Sequence, residues 1–444
     1  MSFRPDISFY MPGHNGRVGP GTPLWDMPLS GKHTADSAFQ NPCDPFTVGE
    51  YFLAAQNFLT RDNGEMLCRA VSSLADNAGR IQSLAVSLEK HGAFYHPLKI
   101  TITTRLCPSI YLVLNGAVKE PGLGLIKTEH QSLASMAKKV VPSFIPRVFG
   151  AGEITLHGRK TAFFMGEWFA GFCEFHVTQT PGGNQMALWQ DDGTHMVIFW
   201  HHAARIYEKI AYVLTAYYDI HTGHEIYPWH HAAGDFVAAA GAMQTGDVRL
   251  ITIRGTAPVN DAAQDTTASG AHLLSCLVLY FLNLTLRMRL DRLDGTGPMV
   301  FLPNIVLDAT IKGVLTALDH RANGFLGAGT EEPPVPKDIC PVFVDFVNGF
   351  SQAQLKNIMA NIVDAWHPDP AEPALVRENL CSHCSRICQV LQVQYSDFPG
   401  HGGKNRCNPG FFIDMCKQKF YICNGILLKV YLGIGWCLQD NYLK

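Results

Sequence analysis

The chain has 444 residues, 47% of them hydrophobic, with 35 Lys and Arg against 38 Asp and Glu. That length is enough to bury two or three cores, and so even a charge balance, with no stretch that mixes basic and aromatic residues, argues against a nucleic-acid groove. The 13 cysteines are an odd count, and the first ten residues carry charges and a proline where a signal peptide needs an apolar core, so free thiols in a reducing, cytoplasmic setting are expected.

Residues 1–47 carry Pro5, Pro12, Gly13, Gly16, Gly19, Pro20, Gly21, Pro23 and Pro28, a density that breaks helices and predicts an extended, turn-rich arm. Residues 48–93 read as a helical extension. Leu67, Val71 and Leu74, then Ile81, Leu84 and Leu88, recur at helical spacing, with a break at 76–79. From 94 to 118 the β-formers Phe94, Tyr95, Ile100, Ile102 and the run Ile110, Tyr111, Leu112, Val113, Leu114 predict strands. A helix over about 125–139 follows, ended before Pro142, and then strands over 147–152 and 160–168.

The Gly-rich and polar stretch 178–194 separates this part from a long helix predicted over 197–218. Further helices are expected over 271–293, 304–318, 351–366 and 373–393, with a solvated loop at 327–336 and a Cys-rich tail of uncertain structure over 395–444. Two apolar stretches, 273–286 and 420–438, fall short of a clean run of about 20 apolar residues, so no membrane span is expected.

Several strings resemble the protein kinase-like superfamily, in its aminoglycoside and choline phosphotransferase branch. The order strand, strand, helix, strand, strand before a helical second half is similar to that layout, over about residues 94–320. The string Lys127-Thr128-Glu129-His130, followed by Ile145-Pro146-Arg147-Val148, is similar to the family's helix glutamate and the strand after it. The resemblance makes Glu129 the carboxylate that holds a strand lysine by a charge-assisted hydrogen bond. Lys119 is its nearest partner and Lys99 the alternative. The string Phe163-Phe164-Met165-Gly166-Glu167-Trp168-Phe169-Ala170-Gly171 looks like the family's hinge, where main-chain groups meet a purine edge, and it points to Glu167 and Trp168.

The segment Tyr227-Pro228-Trp229-His230-His231-Ala232-Ala233-Gly234-Asp235-Phe236 stands where the family has its catalytic loop. Aligned on the family's Gly-Asn-Phe ending, Asp235 takes the place of a magnesium-binding asparagine and His230 that of the catalytic aspartate. A neutral histidine, His230 or His231, can accept a proton but attracts no metal as a carboxylate does. Thr252 stands where a second metal-binding aspartate belongs, and its hydroxyl is a poor ligand for magnesium.

The resemblance therefore implies an α+β, two-lobed protein kinase-like fold, with a small β-rich N-lobe over 94–177 and a mainly helical C-lobe over 178–394. It implies ATP and Mg2+ as cofactors, and a nucleotide together with an unidentified small molecule or protein as partners. Two functions follow: an atypical small-molecule phosphotransferase, or a pseudokinase acting as a binding scaffold. Arg289, Asp291, Arg292 and Asp294 are expected to pair with one another along a helix.

Two further readings compete. Cys381, His383, Cys384 and Cys388 invite zinc, but their spacing puts the thiols on one face of a helix, where they are core. The arm string Phe9-Tyr10-Met11-Pro12-Gly13-His14 resembles the start of pyridoxal-phosphate-dependent ornithine, lysine and arginine decarboxylases. Asn15 replaces their lysine, and no later Ser-x-His-Lys string follows.

Overall fold

The structure, a computed structural model, describes residues 3–29, 46–89, 94–107, 109–190, 193–230, 234–242, 246–259, 270–328, 335–366 and 371–396. The chain folds as two compact units of mixed α+β structure. One is built from the described residues up to 137 together with those of 146–170, and the other from 138–145 together with the described residues of 171–396. The boundary thus lies at 170–171 rather than 177–178, and the residues expected as a separate helical extension belong to the first unit.

The first unit is organised by a six-stranded sheet. Its strands are β1 (Asp6–Tyr10), β2 (Ile81–Leu88), β3 (Leu98–Thr104), β4 (Ile110–Ala117), β6 (Val148–Leu156) and β7 (Arg159–Glu167), in the order β1-β2-β3-β4-β7-β6. The short strand β5 (Val140–Val141) belongs to the second unit. Helix α3 (Gly122–Met136) lies between β4 and β6 in the chain and packs on β4, β6 and β7. The expected order of strand, strand, helix, strand, strand is therefore present as β3, β4, α3, β6, β7. The turn joining β6 to β7 is His157-Gly158 at φ 50° and 74°, the left-handed pair that a two-residue hairpin needs.

One face of this sheet is apolar by strict alternation. Leu84, Val86 and Leu88 of β2, Ile100 and Ile102 of β3, and Leu112 and Leu114 of β4 are all buried. Helices α1 (Val48–Thr60) and α2 (Glu65–Leu74) contribute Tyr51, Phe52, Phe58 and Leu67 to the same core. The start of α1 is encoded locally. Thr47 accepts from the Glu50 N–H while Glu50 reaches back to the Thr47 N–H, a reciprocal cap worth about 1 kcal/mol. The arm is turn-rich as expected, yet it also supplies β1, which pairs parallel with β2 from Asp6↔Ser83 to Tyr10↔Ser87. Phe9 stacks on Phe52 at 4.7 Å. The string Met11–His14 follows β1 as a turn with Gly13 at φ 71°.

The helix expected around Ile81, Leu84 and Leu88 is instead strand β2. A register irregularity between Ile81 and Ser83 inserts one residue, so the buried positions run 81, 84, 86, 88. That spacing imitates a helical stripe at its start.

The second unit joins a five-stranded sheet to a helical body. Strands β8 (Phe172–Thr180), β9 (Gly183–Trp189), β10 (His195–Ile198), β12 (Phe236–Ala239) and β13 (Val248–Leu250) lie in the order β10-β9-β8-β12-β13. The stretch read as variable, 178–194, thus holds most of a β-hairpin. Helix α4 (Trp200–Tyr217) begins three residues later than expected because 195–198 form β10. Strand β11 (His224–Ile226) pairs with β14 (Thr256–Pro258).

Helices α5 (Gly270–Arg287), α6 (Asn304–Ala322), α7 (Ile339–Asn348), α8 (Gln352–Asp364) and α9 (Ala371–Ser396) complete the unit, with β17 (Gly327–Ala328) pairing with β5. Helices α4 and α6 cross closely at Gly313, where an added Cβ would meet the Glu208 carbonyl and the Ala211 side chain. Strands β15 (Leu290–Arg292) and β16 (Met299–Phe301) replace the expected end of α5. Arg289 and Asp291 accordingly do not pair along a helix: Arg289 donates to the Leu302 carbonyl at 2.7 Å, and Asp291 accepts from the Arg292 N–H at 2.6 Å. No helix among the described residues is long and apolar enough to cross a membrane. Of the tail over 395–444, everything beyond 396 lies outside the described residues.

Candidate functional site

In the second unit, β11 leads into the loop 227–235, which ends at Asp235 just before β12. The Ile251 N–H donates to the Asp235 carbonyl at 2.8 Å, so the chain leaving β13 runs beside the loop's end. Three residues on, Arg254 closes on Asp235. Its Nη2 donates to Oδ1 at 2.6 Å and its Nη1 to Oδ2 at 2.8 Å, while the His230 N–H donates to Oδ2 at 2.8 Å. Asp235 is 1% exposed, so both carboxylate oxygens are satisfied inside the fold by a bidentate guanidinium and a main-chain donor. A guanidinium in that position occupies the directions from which a metal would approach. Among the described residues, no three His, Cys, Asp or Glu side chains converge as a metal site.

His230 is half-buried, and burial pushes its pKa down to about 4. Asp235 opposes the shift, while Arg287, Arg292 and Arg254 reinforce it. Its imidazole is therefore neutral at pH 7, available as an acceptor but a weak base. It lines a recess of about 10 Å³ with Trp229, Arg287, Leu290 and Glu372, a volume that admits about one water molecule. His231, the other expected base, lies outside the described residues. Thr252 lies two residues past the end of β13, in irregular chain.

Behind the loop, burial pushes the Glu225 pKa up to about 8 against the pull of Arg287, so this carboxyl is largely neutral at pH 7. Arg287 stands over the Tyr227 ring at 5.5 Å and over the Trp366 ring at 4.6 Å.

In the first unit, Ile126, Glu129, Leu133 and Met136 form the buried stripe of α3, and Glu129 is 2% exposed. The expected helix glutamate thus points inward from α3. Its strand partner is not where expected. Lys119 lies two residues beyond β4, is exposed, and forms no ion pair with Glu129 among the described residues. Asn115 is the polar residue that β4 presents toward α3. It is paired with Phe164 of β7, whose ring meets His130 of α3 at 6.4 Å. Lys99, on β3, turns to the other end of the same sheet face. Its ammonium sits 4.8 Å over the Trp168 ring and 5.8 Å over the Tyr111 ring.

The hinge-like string is structurally committed. Glu167 accepts from Arg147 Nε at 3.1 Å and Nη2 at 3.3 Å, its N–H donates to the Arg147 carbonyl, and the Trp168 N–H donates to the Tyr111 carbonyl at 3.4 Å. The sequence singles out Asp235 and Glu129 but not Arg254 or Asn115. The one signal for Arg254 is a cation at the end of the segment 248–254, in which the second metal-binding aspartate is sought.

The zinc candidates separate. His383 is buried between Arg289, whose Nη1 lies 3.2 Å from Nδ1, and Thr285, whose Oγ1 lies 3.2 Å from Nε2. Burial and Arg289 push its pKa down to about 3. Cys384 is buried against the Met359 sulfur, while Cys381 is exposed.

No protein-family model matches the sequence, and no curated relative does. Among solved structures, the chain is similar to the PAN3 pseudokinase of Drosophila melanogaster at 13% identity and a TM-score of 0.23, covering 75% of this chain and 66% of that one. It is also similar to a microcompartment-associated aminopropanol kinase, at 11% identity and a TM-score of 0.22 over 78% of this chain and 98% of that one. The PAN3 pseudokinase of Neurospora crassa follows at 10% identity and a TM-score of 0.23, covering 73% and 76%.

Proposed function

We propose that this chain is a kinase-like binding module that does not transfer phosphate. The observation that carries this reading is the Asp235–Arg254 pair. The carboxylate expected to hold magnesium is neutralised by a bidentate guanidinium inside the fold. Support comes from Asn115, rather than a lysine, at the β4 position paired with Phe164, whose ring meets His130 of α3, and from His230, which the family resemblance aligns with the catalytic aspartate. The strand and helix order of the first unit and the paired strands β11–β14 and β12–β13 around the loop agree with a kinase-like scaffold.

One observation favours a second reading. His230 is neutral at pH 7 and lines a recess beside Arg287, the arrangement that an atypical phosphotransferase with ATP and Mg2+ would use for a general base. Thermal shift with ATP, with and without Mg2+, followed by ATP turnover of the wild type and of Asp235→Ala, separates the two. The binding-module reading expects no magnesium-dependent shift and no turnover that depends on Asp235. A magnesium-dependent shift together with ATP turnover, both lost in Asp235→Ala, would establish the phosphotransferase instead.

A further inference from the structure

Lys209 projects from α4 in the second unit, one helical turn before Tyr212. Its ammonium lies 4.1 Å from the centre of the Phe144 ring and 4.2 Å from that of Tyr212. The two rings meet edge to face at 5.7 Å and 89°. Both walls are fixed: the Phe144 N–H donates to the Tyr217 hydroxyl at 3.2 Å, the Phe144 carbonyl accepts from Leu250, and the Tyr212 hydroxyl lies 3.0 Å from His320 Nδ1. The carboxylates that face Lys209 are both taken by other cations. Glu208 pairs with Lys312 of α6 at 3.0 Å, and Asp247 pairs with Arg249 of β13 at 2.7 Å. Among the described residues, no carboxylate forms an ion pair with Lys209, and Arg249 adds a like charge nearby.

A half-buried amine between two ring faces, beside a guanidinium and with its neighbouring carboxylates engaged elsewhere, is poorly supported as a cation. The ring faces favour the charged form, which opposes the loss of water and the repulsion from Arg249. Burial and Arg249 prevail, and the Lys209 pKa is pushed down to about 8 against the pull of Asp247 and Glu208.

We propose that Lys209 is a nucleophilic amine and the preferred acylation site of this chain, accepting a short acyl group from an activated acyl donor. The Nζ lone pair attacks the donor's carbonyl carbon and a C–N bond forms. The bond from that carbon to phosphate oxygen or thiol sulfur breaks, the leaving group departs with the electron pair, and the nitrogen releases a proton to solvent. The product is a neutral amide between the two rings, which no longer repels Arg249.

The test is acetylation of the intact chain at pH 7.5 in two arms, one with acetyl phosphate and one with S-acetyl-N-acetylcysteamine, read by peptide mass spectrometry. At that pH an amine with a pKa of about 8 holds roughly two hundredfold more free base than an ordinary lysine, so Lys209 is expected to label at least about tenfold faster than exposed lysines such as Lys160 and Lys312. Its rate should level off above about pH 8, and Arg249→Gln should slow it several-fold at pH 7.5, while Lys209→Arg should abolish the labelled peptide. Preference in either arm with that pH profile supports the proposal, and the faster arm identifies the donor class. Labelling of wild-type Lys209 no faster than the exposed lysines in both arms, or a rate still climbing at pH 10, overturns it.

Discussion

Replacing Arg254 by methionine keeps the length of the side chain and removes the charge opposite Asp235. The carboxylate, 1% exposed, would then keep only the His230 N–H of the three donors described above. With N···O distances of 2.6 and 2.8 Å the charge centres lie about 4 Å apart, and at an effective dielectric of ~20 their attraction is about 4 kcal/mol. Removing one partner of such a buried pair typically costs about 3–5 kcal/mol, because the other charge stays buried. A chain of two compact units need not unfold in one step, so a local readout is preferable to a single melting curve. The His230 amide provides it, since its proton is held by Asp235 Oδ2. Hydrogen exchange of a peptide spanning 226–236 should accelerate by at least about tenfold in Arg254→Met, and Asp235→Asn with Arg254→Met should recover part of the protection. Unchanged exchange in Arg254→Met would refute the structural role of the pair. A magnesium-dependent ATP shift in the wild type that is lost in Asp235→Asn would refute the claim that Asp235 is not a metal ligand.

The pH dependence of the second unit follows from its buried groups. Glu225 and Asp291 have pKa values raised to about 8 and about 7, so the folded state holds protons that the unfolded state has released, and stability should fall as pH rises from 6.5 to 8.5. Denaturant titrations should show that fall, reduced in Glu225→Gln, and a flat profile would contradict it. His230 and His383 act in the opposite sense. Their values are lowered to about 4 and about 3, so their contribution is complete above about pH 6.5 and is lost as pH falls through those values. Gly313→Ala should destabilise the α4–α6 crossing by about 1–3 kcal/mol, measured by urea unfolding, because its Cβ meets the Glu208 carbonyl and Ala211. His383→Ala should cost about 2–4 kcal/mol by removing the acceptor for Arg289 and the partner of Thr285, and zinc should leave the melting of wild type unchanged.

Much of the architecture was written locally. The capping boxes at Thr47–Glu50 and Ser351–Gln354 mark the starts of α1 and α8, and the alternation in β3 and β4 marks those strands without ambiguity. Where the reading failed, a tertiary fact imitated another pattern. The irregularity at Ile81/Ser83 gave β2 a helical spacing, and the polar hairpin of β8 and β9 has one face half-exposed, so it looked like loop. The site divides in the same way. Asp235 and Glu129 could be placed from neighbouring residues, because turn and helix signals are local. Arg254 could not, since its pairing depends on β13 folding back beside the loop, 19 residues away.

Strand β1 has a consequence for how the chain acquires its fold. It is made before its partner β2, which lies more than seventy residues later, so this edge of the sheet closes only after α1 and α2 have been made. Parallel pairing over that separation bears the full entropy of loop closure and is intrinsically slow. Until it happens, Phe9 lacks the Phe52 ring and the outer side of β2 is an open template for another chain. During synthesis, β2 and not the helical body would therefore be the surface most in need of a chaperone.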